Sequence, residues 1–197
     1  MALLIERKKA DKRKRLLDAA YECFISEGVG GASIARICEQ ADIAKGTFYL
    51  YFKDKEDIAK SLNMRISYGL LEEAYTWMKA HRTEDFVENC LVMADYIINR
   101  FEKDTDLLKL LRRDFTWTVS KEELVASDDE LIGSIRTSIR KYAAENHLSA
   151  DHLLTEMFAL TGMVATVCYS AIIDHYPCTM EEVRPVIFEI IRKTLKP

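Results

Sequence analysis

The chain has 197 residues, of which 49% are hydrophobic and 30% charged, a composition that excludes disorder and leaves room for one or two domains with a sizeable core. Seven Gly and three Pro are too few for a collagen-like, linker-rich or turn-rich all-β chain. The formal net charge of −4 argues against a general polyanion binder, and five Cys without a CxxC spacing fit reduced thiols rather than a disulfide framework.

Helical periodicity runs through the chain and predicts an all-α fold. Leu16, Leu17, Ala20, Phe24 and Ile25 recur at three- and four-residue spacing in a helix over about 12–27. Gly28 and the Gly30-Gly31 pair end it. Ser33 is placed to cap a short helix over 34–40 whose inward residues are Ile34, Ile37 and Cys38. Ala41-Asp42-Ile43 makes a tight connection, with Asp tolerating a left-handed backbone. A third short helix follows over 44–50, and Asp54 is placed to cap a longer one from 54 to 80. Beyond it, amphipathic segments are expected at 84–102, 105–118, 121–146, 149–175 and 179–195. Thr83, Ser149 and Thr179 are their expected caps, with breaks at His147, Pro177 and Asp104-Thr105-Asp106. No stretch of 18 or more residues is continuously apolar, and Met1 to Ile5 runs straight into Glu6-Arg7-Lys8-Lys9; neither a membrane segment nor a secretory signal is expected, and a cytoplasmic location is.

Charge is unevenly divided. Residues 1–16 hold seven bases against two acids, residues 1–60 carry +2, and residues 61–197 carry −6. Between Ile43 and Lys53 no acid occurs, and Lys45 and Lys53 bracket the stretch. A basic end on an acidic body suits one face turned to a phosphate backbone. A solvated helix start with a basic tail would show the same charges.

The three short N-terminal helices, the second and third joined by a three-residue turn, form a helix-turn-helix pattern, a platform that leaves its third helix free for a major groove. Phe48 and Phe52, four apart, anchor one face of the run 44–52. Lys45, Thr47, Tyr49 and Tyr51 are left near the other face with donors. Gly46 removes a side chain where backbone and phosphate approach, in a position where Gly costs about 1 kcal/mol relative to Ala.

The run from Ala35 to Ile58, with Lys45-Gly46-Thr47-Phe48-Tyr49 at its centre and Tyr51-Phe52-Lys53-Asp54-Lys55-Glu56 at its end, closely resembles the signature of tetracycline-repressor-type (TetR-family) regulators. The upstream Leu16-Leu17-Asp18-Ala19-Ala20, Phe24 and Gly28 fit the family's first helix, so the resemblance covers about residues 10–60. It implies a helix-turn-helix DNA-binding domain over 1–60 and a helical effector-binding and dimerisation domain over 61–197. It further implies a homodimeric transcription factor, most often a repressor, released from a near-palindromic duplex operator by a small effector. On the matching positions, Lys45, Thr47, Tyr49 and Tyr51 would face DNA, and Lys55 and Ser33 would hold phosphates. The basic arm would add affinity that falls with salt. Two positions depart from the pattern: Asp42 stands where such proteins mostly have Gly, and Ala44 where they often have Ser.

The body offers no motif. By resemblance its last two helices, about 149–175 and 179–195, would pair with their copies. Leu153, Met157, Leu160, Val164, Val167 and Ala171 would serve on the first, and Val183, Ile187, Ile190 and Ile191 on the second. Ala159, Gly162, Ala165 and Ser170 would permit close approach. Trp77, Tyr96, Phe101, Phe115, Trp117, Met163 and Tyr169 are candidate liners of an effector pocket, and their chemistry suits a hydrophobic or aromatic ligand. Each serves equally well as plain core. His175 and Cys178 lack the further ligands of a metal site, and a Cys168/Cys178 redox pair has no other support. No cofactor is expected. No Ser/His/Asp grouping, HExxH, P-loop or paired-carboxylate motif supports an enzyme. The competing reading is an architectural or cell-division DNA-binding protein on the same scaffold that takes no ligand.

Overall fold

A computed structural model describes residues 2–112 and 128–196, and among them only helices and connecting turns occur. The chain divides into two compact units, Met1–Ile66 and Ser67–Pro197.

The first unit holds α1 (Ala2–Gly31), α2 (Ile34–Ala41), α3 (Lys45–Phe48) and the start of α4 (Lys55–Ala80). α1 is longer than its apolar pattern, because the basic stretch before Leu16 continues the same helix with every residue from Glu6 to Arg15 exposed. Gly28 breaks it with φ 70°, in the left-handed region that a side chain would resist. Leu16, Leu17, Ala20, Cys23 and Phe24 of α1 meet Ile37, Cys38 and Ala41 of α2 in a core that also takes Phe48, Phe52, Ile58 and Leu62. The hydroxyl of Ser33 accepts the Arg36 amide at 3.2 Å and caps α2. α3 is only four residues long, not the seven expected over 44–50. Ala44 supplies no side-chain cap bond, and the backbone turns after Phe48, with Tyr51 N–H and Phe52 N–H both returning to the Phe48 carbonyl.

The second unit contains the rest of α4, then α5 (Phe86–Lys103), α6 (Thr105–Arg112), α7 (Glu130–Glu145), α8 (Ala150–Tyr169, continued by a π-turn over Ser170–Asp174) and α9 (Met180–Leu195). The helix expected over 105–118 is present in its described part, Thr105–Arg112, whereas the one expected over 121–146 is corrected: residues 128–129 are not helical, and α7 starts at Glu130 because Asp129 caps it by accepting the Ile132 amide. Phe115 and Trp117 lie outside the described residues. Ser149 caps α8, and Thr179 caps α9 in a reciprocal box with Glu182.

The expected Thr83 cap is also corrected. Asp85 takes that role, its carboxylate accepting Val87 N–H at 2.7 Å and Glu88 N–H at 3.0 Å, while Thr83 hydrogen-bonds the Asp85 backbone one step outside the helix. Both residue types suit an N-cap; a carboxylate also complements the positive end of the helix dipole. Asp85→Ala is therefore expected to cost about 1 kcal/mol in urea unfolding. Thr83→Ala should cost less than about 0.5 kcal/mol.

In the second unit Leu153, Val164 and Ala171 of α8 and Ile187 and Ile191 of α9 are buried within the protomer itself. These positions were expected at a dimer surface, yet they form the chain's own core. What α8 and α9 leave exposed combines expected positions, Ala159, Gly162 and Ile190, with two that were not expected, Phe158 and Val186. The stretch Ala150–Asp174 is long and apolar enough to cross a membrane by length and composition, and 17% of its apolar 18-residue window is buried in the chain.

Candidate nucleic-acid interface

The turn between α2 and α3 is held by a bond set that sequence reading missed. Asp42 sits at φ 51°, ψ 53°, the left-handed conformation expected of it, with its N–H returned to Glu39 and Ile43 N–H to Cys38. A non-Gly residue pays roughly 1–2 kcal/mol for that backbone. Arg15 of α1 offsets it, donating to the carbonyls of Ala41 and Asp42 and to the Asp42 carboxylate at 3.3 Å. Asp at this position thus supplies an ion-pair partner that Gly lacks. Two residues before Arg15 in α1, Arg13 lies over the Phe52 ring at 5.2 Å. Part of the basic arm is therefore structural, while Lys8, Lys9, Lys12 and Lys14 have no acidic partner among the described residues.

Phe48 is fully buried, with its ring 5.7 Å from that of Phe52 and edge-on to Tyr49 at 5.4 Å. That anchor turns the neighbouring side chains outward. Lys45 and Gly46 are exposed, Thr47 and Tyr51 half-buried, and Tyr49 is 51% exposed. Ser33, at the start of α2, is exposed, with its cap bond already made. Leu50, which sequence reasoning passed over, is 75% exposed. Alternation of aromatic and polar types hid it: the pattern around Phe48 marks apolar residues as anchors, and only the early end of α3 turns this one out.

Lys55 is half-buried and its ammonium donates to the carbonyls of Gly30 at 3.1 Å and Ala32 at 3.0 Å. It satisfies carbonyls at the end of α1 that the helix leaves without partners, and one of its three donors stays available. Arg65 further along α4 pairs with Asp18 of α1 at 2.7 Å. The cysteines of this unit, Cys23 and Cys38, are buried and their thiols are pushed upward by burial, as inert core residues are.

Of the candidate effector liners, Trp77 is exposed, stacked on His81 with centroids 4.0 Å apart and 5.8 Å from the Tyr96 ring. The half-buried Tyr96 donates its hydroxyl to Glu73, which also accepts from Arg100. Phe101 is buried, and Met163 and Tyr169 are half-buried. Trp77 and Tyr96 are thus brought together at a surface. Cys168 is buried and its thiol is pushed up to about 12 by that burial, which leaves it protonated and a poor redox centre. Near the start of α7, Tyr68 donates to Asp129 at 2.6 Å, and this bond holds the phenol up to about 12 and the carboxylate below its ordinary value.

Residues 16–62 match the family of bacterial regulatory proteins described as tetR. Over 169 residues the chain is 28% identical to YdgC, an uncharacterized HTH-type transcriptional regulator of Bacillus subtilis (strain 168), across 79% of this chain and 85% of that protein. It is 43% identical over 56 residues to the fatty acid metabolism regulator protein of the same organism, across 28% of this chain and 29% of the other. A TetR family regulator from Marinobacter aquaeolei VT8 superposes with a TM-score of 0.62 at 15% identity, covering 96% of this chain and 97% of that one. The regulator FadR from Bacillus subtilis, solved in complex with stearoyl-CoA, gives 0.58 at 19% identity over 90% and 96%. At such identities the structural likeness establishes the fold. Helix order, the buried Phe48 platform, the outward Lys45-to-Tyr49 surface and the matching relatives converge: residues 16–62 form a domain of the tetR family of bacterial regulatory proteins, in a chain similar over most of its length to an HTH-type transcriptional regulator.

Proposed function

We propose that the chain is a homodimeric, cytoplasmic repressor that holds a near-palindromic DNA operator and leaves it when a small hydrophobic or aromatic effector binds the second unit. The observation that carries the DNA side is the acid-free stretch from Ile43 to Lys53, rigidly based on Phe48 and Phe52 and exposing Lys45, Gly46 and Tyr49. Lys45, Thr47, Tyr49 and Tyr51 supply donors for base edges and phosphates. Ser33 and the remaining donor of Lys55 serve phosphates. The exposed stripe of Phe158, Gly162, Val186 and Ile190 supports self-association, because such an apolar surface is normally covered by a partner.

Two copies of α3 would enter successive major grooves about 34–36 Å apart. An effector lowers DNA affinity only by binding more tightly to a state in which that spacing is lost. Trp77, Tyr96, Phe101, Phe115, Trp117, Met163 and Tyr169 remain the candidate effector residues. Long-chain acyl-CoA is the first ligand to try, given the stearoyl-CoA complex of the FadR neighbour.

The test begins with enrichment of duplexes from a random library by the full chain. Enriched sites are expected to carry inverted half-sites. On such a duplex, replacing Lys8 and Lys9 together by Ala should weaken every sequence alike. The slope of log affinity against log salt should fall by about 0.9 for each phosphate contact removed. A loss confined to particular bases would refute the arm's role, and no enrichment at all would refute DNA binding.

A further inference from the structure

Among the described residues of the first unit, Leu50 is the most exposed large apolar side chain, at 75%. Its position is fixed by the backbone on both sides: Leu50 N–H bonds the Thr47 carbonyl at 3.1 Å, and Tyr51 N–H bonds the Phe48 carbonyl at 2.9 Å. The inward place beside it is already filled by Phe48, which is fully buried. Leu50 stands next to Tyr49 in the acid-free stretch, among side chains otherwise rich in donors. A phosphate gains nothing from an aliphatic group, and a Lys, Gln or Ser there would serve a phosphate better. On the major-groove edge of a base pair the one apolar group is the C5-methyl of thymine.

We infer that Leu50 reads a thymine C5-methyl group in each operator half-site. This rests on the DNA-binding reading above and names a specificity element within it. The contact removes one methyl group and the end of one leucine from water, so its effect is modest and confined to a single base position.

The experiment uses the full chain and a duplex enriched by it from a random library. Each thymine is replaced in turn by deoxyuridine in both half-sites, a change that deletes only the methyl group. Affinities are read by fluorescence anisotropy for the wild-type chain, Leu50→Ala and Leu50→Met. The wild-type chain is expected to lose about fourfold per methyl at one thymine position. Leu50→Ala should bind the thymine duplex correspondingly less well and be indifferent to deoxyuridine there, while Leu50→Met, apolar and similar in volume, keeps the discrimination. A Leu50→Ala chain that still tells thymine from deoxyuridine at every sensitive position overturns the assignment, as does a wild-type chain insensitive to every replacement. Either result leaves DNA binding itself intact. Failure to enrich any duplex would instead remove the operator reading, and the Leu50 role with it.

Discussion

Gly46→Ala is expected to make the chain more stable and a poorer DNA binder. A Cβ built at Gly46 meets no heavy atom within 4 Å, and the backbone there is not in the left-handed region. Nothing inside the chain therefore requires glycine. Ala in its place removes conformational freedom from the unfolded chain and should add about 0.5–1 kcal/mol of stability. The room beyond Gly46 is useful only to something outside the chain. If that is a phosphate drawn close to the backbone, the methyl group pushes it away and forfeits a bond to a charged group, worth about 1.5–3 kcal/mol. A thermal melt and a DNA titration on the same preparation read both effects. A higher melting temperature with unchanged affinity would take Gly46 out of the interface.

Phe158→Glu should dissociate the homodimer. Phe158 is 54% exposed on α8, four residues before Gly162, whose own missing side chain also faces open space. A large aromatic beside a flat glycine surface is the arrangement that anchors an interface, and truncating or charging such an anchor costs upwards of about 2 kcal/mol. In a two-fold dimer each copy suffers the change. Sedimentation velocity should show the wild-type chain as a dimer and the variant as a monomer at the same micromolar concentration, with DNA affinity falling in parallel. The variant's monomer should stay folded, since more than half of the Phe158 side chain lies at the protomer surface. Equal sedimentation of the two chains would place the self-association surface elsewhere.

The cap residues Ser33, Ser149 and Thr179 were legible in the sequence because an oxygen-bearing side chain before an apolar repeat has one efficient use. The Phe48 anchor was legible too, through its spacing to Phe52. Thr83 and Asp85 were harder: both types cap, they lie two residues apart, and only the backbone shows which one precedes the first helical residue. Arg15 was invisible as the partner of Asp42, since 27 positions separate them and one base among seven carries no mark of its role. On α8 the difficulty was of another kind. Apolar residues run around most of that helix, so periodicity cannot tell Leu153, which is buried, from Phe158, which is not. The length of α3 also escaped, because residues 49–52 retain helix-compatible types while their backbone turns away.

α9 is fastened to α5 at both ends. Arg184 reaches Asp95 at 2.7 Å, Asn99 at 3.0 Å and Glu102, a span of two turns of α5, and Arg192 grips Glu88 through both carboxylate oxygens, which holds that carboxyl below its usual range. Sliding one of these helices past its neighbour by a single turn would break the Arg192–Glu88 fork outright and leave Arg184 with only part of its set of partners. The pair is consequently a girder: it can be carried along or rotated as one piece, and whatever deformation the second unit undergoes has to be absorbed by its other helices.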